Sequence, residues 1–168
     1  TGVPAGTLRL VSAGSGSFTF ARATAAVPLE EWSHVVATLV ANGPKTAVSF
    51  FLNGVPVGGG GILTPGFAPQ PGITIGHRPG LLPIKNFQGF IDEARVSSKL
   101  EYTDDFSVSL RKRLGAVPGS TEALFHFDET TGTIAKHSSG LGRDATFVPD
   151  ALHGTLCEAP LLAMREAA

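Results

Sequence analysis

The chain has 168 residues, a formal net charge of −1, 42% apolar residues and 16% charged ones. That length suits one domain with one sizeable core, and the composition is too apolar for a disordered tail and too interrupted for a membrane-spanning helix. The only basic cluster is Arg111-Lys112-Arg113, too short a stripe to neutralise many phosphates, which argues against nucleic acid as a partner. Gly and Pro (21 and 12 residues) and 11 Phe in an otherwise thin aromatic set suit many short strands joined by many turns. Cys157 is the single cysteine, so neither an internal disulfide nor a structural zinc site is available. The chain starts at Thr1 with no charged n-region and apolar h-region. It reads as cut from something longer, with any export signal upstream.

In chain order, the apolar residues Leu8 and Leu10, then Phe18 and Phe20, alternate on either side of a small-residue turn and predict a hairpin of half-buried strands. His34 to Val40 is rich in β-branched residues and predicts a central strand covered on both faces. Asn42-Gly43-Pro44 ends it, and Ala47 to Leu52 resumes an extended pattern up to Asn53-Gly54, a hairpin signal. Pro56 then argues for an edge position or a strand end. Four glycines, residues 58–61, and the Pro-Gly pairs at 65–66 and 71–72 predict a long surface loop. Ile73 to Gly76 and Phe87 to Val96 are the next strands. Phe106, Leu110 and Leu114 fall at four-residue spacing behind Asp104 and suggest a short helix. Ala123 to Phe127 and Asp144 to Val148 complete the extended pieces, and the Ala- and Leu-rich tail from Leu156, broken by Pro160, forms a terminal helix or frays. No helical period is sustained in the first hundred residues, so the fold class is all-β.

Four passages carry a family resemblance. Glu31-Trp32-Ser33-His34-Val35-Val36-Ala37-Thr38 resembles the "W-x-H-V-A" strand of laminin G-like jelly rolls, and Phe51-Leu52-Asn53-Gly54-Val55-Pro56-Val57 resembles their "y-l-N-G-x-x-v" hairpin. Ile73-Thr74-Ile75-Gly76 is similar to "i-x-I-G", and Phe87 to Val96 (FQGFIDEARV) is similar to "f-x-G-x-I-D-E-v-R-v". Together, in this order, they resemble the bacterial laminin G-like, concanavalin A-like lectin/glucanase jelly rolls. The resemblance implies an antiparallel β-sandwich, with a short C-terminal helix as an addition. Leu124 to Glu129, Thr131-Gly132, Ser138-Ser139-Gly140 and Asp144 to Phe147 resemble a passage that commonly opens such domains, yet here it comes late, and His137 stands where the family often has aspartate. Residues 1–110 are accordingly read as the main body lacking its N-terminal strands, and 111–121 as a linker. Residues 122–150 are either a closing strand segment or the start of a second similar domain, and 151–168 are the tail.

The resemblance also implies function. It points to a noncatalytic recognition or adhesion module of a larger secreted or cell-surface protein, binding carbohydrate or another protein. A packing or decoration domain of a large assembly is the alternative, and a polysaccharide-degrading enzyme the weaker one. Related jelly rolls often bind structural Ca2+, which places the expected metal ligands at Asp92, Asp128 and Glu129; calcium needs six to eight oxygens, so carbonyls and water would have to complete the shell. Asp92 on a largely apolar strand face must in any case be paired, hydrogen-bonded or metal-bound. The Glu-x-Asp-x-x-Glu arrangement of laminarinase-like glycosidases is missing from the sequence, and adjacent pairs such as Asp92-Glu93 point to opposite strand faces, so no catalytic residue is assigned. Sugar contacts in such folds come from rim loops, which selects Phe67, His77, Arg78, Asn86 and Tyr102 as ligand-binding candidates.

Overall fold

The computed structural model describes residues 6–14, 17–58, 60–64, 74–78, 85–110 and 112–147. Two compact units divide the chain, one of residues 1–71 and 100–112, the other of residues 72–99 and 113–168. Among the described residues every ladder is antiparallel and no helix occurs, so the all-β class holds. No helix there is long and apolar enough to cross a membrane.

In the first unit, β1 (Thr7–Gly14) and β2 (Ser17–Ala26) form the expected hairpin, with Leu10 opposite Ala21 and an irregularity between Thr7 and Arg9. The alternation on β2 runs opposite to expectation. Ala21 and Ala23 are buried, whereas Phe20 is 43% exposed beneath the guanidinium groups of Arg9 and Arg22, 5.0 and 5.2 Å from its centroid. Small residues are needed inside because β6 (Gly61–Leu63) passes close by: a Cβ on Gly61 would lie 3.1 Å from the Ala21 Cα. The glycine-rich stretch is therefore partly sheet. Gly61, Ile62 and Leu63 pair with Val48, Ala47 and Thr46, the Gly60 carbonyl accepts the Arg22 N–H, and Leu63 is fully buried. Glycine's freedom, which argued for a loop, instead permits close backbone approach.

β3 (Val35–Asn42) and β4 (Lys45–Leu52) pair in full register from Val35 opposite Leu52 to Asn42 opposite Lys45. Asn53 and Gly54, at φ 51° and 84°, then make the two-residue turn into β5 (Val55–Pro56), as Asn-Gly predicts. Gly54 is required twice over, because a Cβ there would also fall on the Phe106 carbonyl, whose own N–H donates to the Gly54 carbonyl at 2.9 Å. The central strand is β4, flanked by β3 on one side and by β5 and β6 on the other. Among the described residues β3 pairs with β4 alone, which sets it at an edge rather than at the expected central position, and Val35 and Val40 are 44% and 45% exposed. Val48, Phe50 and Leu63 join Ala21 and Ala23 in the core, with Leu8, Leu10 and Val57 packed on it. On the other face, Phe51 is buried against Phe106 (5.6 Å between centroids), which also meets His34 edge-on at 5.8 Å. Trp32, just before β3, is partly buried.

Among the described residues of Phe106 to Leu114 the expected helix does not form, and the Leu114 N–H, which a helix would direct to the Leu110 carbonyl, has another partner. Phe106 N–H goes to Gly54, and Leu114 N–H goes to the Glu93 carboxylate. The expected terminal helix, Cys157 and Arg111 lie outside the described residues.

The second unit contains three short ladders. β7 (His77–Arg78) pairs with β8 (Lys85–Asn86), β9 (Ala94–Ser97) with β10 (Thr121–Phe125), and β11 (Ile134–Ala135) with β12 (Ala145–Thr146). Ile73 lies outside the described residues. Thr74 to Gly76 precede β7 rather than forming a strand, and of Phe87 to Val96 only the last three residues are in one. Leu124, Phe125 and Ala135 are buried, and a bridge from Phe125 to His137 ties β10 to the late turn. Thus the late passage hydrogen-bonds, through β10, to the strand that ends the "I-D-E-v-R-v" motif.

Candidate functional site

Three of the five expected ligand-binding residues meet on one hairpin. The β7–β8 register sets His77 opposite Asn86 and Arg78 opposite Lys85, and the Phe87 N–H continues the ladder by donating to the Gly76 carbonyl at 2.7 Å. Phe87, which sequence reasoning treated as a strand residue, is 60% exposed. Its ring lies over Gly89, where a Cβ would come within 2.8 Å of Cε1. Ile75 and Phe90, 40% and 41% exposed, add apolar surface along the same stretch of chain. Tyr102 lies in the other unit, partly buried, with its ring stacked 3.9 Å from that of Phe106. Phe67 falls outside the described residues.

Several carboxylates among the described residues of the second unit are engaged by the chain itself. Glu93, 14% exposed, lies 2.6 Å from His126 Nδ1 through one oxygen and accepts the Leu114 N–H at 2.7 Å through the other. His126 is 8% exposed, so this is a buried clamp joining three segments. Nearby, Arg95 donates to the Gly115 carbonyl at 3.0 Å. Asp128 forms an exposed ion pair with Arg113, a contact of small energetic weight. Glu129 accepts the Lys136 N–H at 2.7 Å through Oε1, while its Oε2 is buried without a hydrogen-bond partner. Asp144 accepts from Lys136 Nζ at 2.6 Å and from the His137 N–H at 3.0 Å. Those bonds, the Lys136 one first, hold the Asp144 carboxyl below the usual carboxylate range and raise the Lys136 ammonium.

The His137 tautomer follows from its partners. Nε2 lies 3.1 Å from the Glu122 carbonyl, which can only accept, so Nε2 carries the proton and Nδ1 accepts from the Ser139 hydroxyl at 3.1 Å. The ring also meets Phe125 edge-on at 5.5 Å.

Against known proteins, residues 2–102 match the family model of the concanavalin A-like lectin/glucanases superfamily. The chain belongs to that family. No curated protein and no solved structure matches it. The concanavalin A-like match contains all four passages from Trp32 to Val96 and ends at Tyr102, before β10 to β12. Membership supports a carbohydrate- or protein-binding module in general, and the family name couples sugar binding with glucan cleavage.

The calcium expectation drawn from concanavalin A-like relatives can be tested against the donors present. Among the described residues no group of three His, Cys, Asp or Glu side chains is placed to hold a metal ion. Asp92 is partly buried, Asp128 is taken up by Arg113, and one oxygen of Glu129 by a backbone N–H. Asp92, Asp128 and Glu129 are thus not gathered into a shell, and two or three separated carboxylates do not fit an ion that demands six to eight oxygens.

Proposed function

We propose that the chain is a noncatalytic recognition module of a larger extracellular or surface protein, binding carbohydrate or protein through the β7–β8 hairpin and the segment that follows it. The supporting observation is the exposed Phe87 ring, lying over Gly89 and continuous with a hairpin that pairs His77 with Asn86. An exposed aromatic face is what a pyranose ring uses to stack its C–H face. The carboxylate geometry supports the noncatalytic part of this reading. Glu93, Asp128 and Asp144 spend their charge on His126, Arg113 and Lys136, and a glycosidase acid or nucleophile must face its substrate.

Binding of the whole chain to an immobilised glycan panel tests the proposal. Specific glycan binding, weakened about tenfold by Phe87→Ala through loss of the stacked ring, is the expected result. Retained binding in Phe87→Ala removes the hairpin from the site, and release of reducing ends from a bound polysaccharide overturns the noncatalytic reading.

A further inference from the structure

The chain carries two Asn-Gly pairs, Asn42-Gly43 and Asn53-Gly54, each at a hairpin turn. In such a pair the glycine nitrogen can attack the carbonyl carbon of the asparagine side chain, because glycine has no Cβ to shield it. The fold treats the two pairs differently. At Asn53 the side-chain Oδ1 accepts the His34 N–H at 2.8 Å, and the Asn53 N–H donates to the His34 carbonyl at 2.8 Å. Gly54 is buried, its carbonyl accepts the Phe106 N–H at 2.9 Å, and the Phe106 carbonyl lies where a Cβ would be. Turning the Gly54 nitrogen onto the Asn53 side chain therefore requires these three hydrogen bonds to open together. Asn42 instead ends β3 opposite Lys45, and every residue from Asn42 to Lys45 is exposed. Rotation there opens only the end of the β3–β4 ladder, a local fraying of low cost.

We propose that Asn42 is a site of spontaneous deamidation, and that Asn53, in the same sequence motif, is kept intact by the fold. The Gly43 nitrogen loses its proton and bonds to Cγ of Asn42, the bond from Cγ to the side-chain nitrogen breaks, and ammonia leaves with that proton, closing a cyclic imide. Water then opens the ring. Cleavage of the new bond at Cγ leaves aspartate, whereas cleavage at the main-chain carbonyl leaves isoaspartate, in which the backbone runs through the former side chain. The net change is water taken up and ammonia released, with no oxidation or reduction. Either product sets a carboxylate at position 42, directly across from the exposed Lys45. Isoaspartate also adds an extra backbone carbon where β3 enters the Gly43-Pro44 turn, which displaces the turn from the register that pairs Asn42 with Lys45.

Peptide mapping by mass spectrometry, after storage of the full chain in warm, mildly alkaline buffer, tests this. Aspartate and isoaspartate should accumulate at Asn42 at least about tenfold faster than at Asn53, since each hydrogen bond that must open at Asn53 slows its reaction several-fold. In concentrated urea the protection at Asn53 is lost, and the two sites should react at similar rates. Asn42→Gln should abolish the reaction at position 42, because its longer side chain closes the ring poorly, and should leave Asn53 unchanged. Folded protein in which Asn53 converts as fast as Asn42, or in which neither converts although both do in urea, overturns the proposal. So does a difference between the sites that persists in urea, because it would then come from the neighbouring sequence and not from the fold.

Discussion

Removing the Glu93 carboxylate should be among the most damaging single changes to the second unit. Glu93→Ala leaves two groups without this partner, the buried His126 ring nitrogen and the partly buried Leu114 N–H, which it holds at 2.6 and 2.7 Å. At 14% and 8% exposure for Glu93 and His126, water replaces neither contact well. Leaving a polar group without its partner costs about 1–3 kcal/mol for each group, against a total stability of about 5–15 kcal/mol for a domain. Glu93→Gln keeps a carbonyl oxygen for Leu114 and loses only the charge-assisted part, so about 1–3 kcal/mol is expected. Urea unfolding followed by circular dichroism measures both. A double-mutant cycle of Glu93→Gln with His126→Ala should show a coupling of about 1–3 kcal/mol. Effects that add within about 0.5 kcal/mol would show that the two side chains do not support each other, and the clamp would be refuted.

Gly54→Ala should cost about 2 kcal/mol or more, because it combines a left-handed backbone position with a collision against the Phe106 carbonyl; a thermal melt reads this. The Asp144 carboxyl has a folded pKa below the ordinary 3.8, so its contribution to stability is present above about pH 3.8 and fades as pH falls through the lower folded value. Lys136, raised above 10.5 by Asp144, contributes below that pH and loses the contribution as pH rises through its folded value. Lys136→Met should therefore move the Asp144 titration upward, seen by carbonyl-carbon NMR. Millimolar calcium added to chelator-treated protein should leave the melting temperature unchanged, since the described carboxylates form no oxygen cage. A rise in melting temperature would refute that.

The fold class was legible because it rests on local chemistry. Asn53-Gly54 needs a two-residue turn wherever it occurs between extended runs, and Pro56 ends the two-residue strand β5 for the same local reason. Position within a sheet was not legible. The β-branched run of β3 reads as a central strand, but which strand becomes central depends on partners distant in sequence, here β6 from the glycine-rich stretch. The facing of β2 was lost for a related reason. Two alanines are weaker core signals than phenylalanines until it is known that Gly61 must pass against them.

The site divides along the same line. His77 and Asn86 were selectable one at a time as polar loop residues, but their pairing is a matter of register across a Pro- and Gly-rich connection. The Glu93–His126 clamp was hidden more deeply, because its members lie 33 residues apart and each sits in a passage whose aspartates drew attention to a metal instead. In the fold those passages do meet, through β9 and β10, and what joins them there is a carboxylate holding an imidazole and a backbone N–H. A cation between two carboxylates and a hydrogen-bonded clamp are alternative answers to the same demand, that a buried carboxylate not be left alone. The clamp meets it for Glu93 with groups the chain already carries, the His126 ring and the Leu114 N–H.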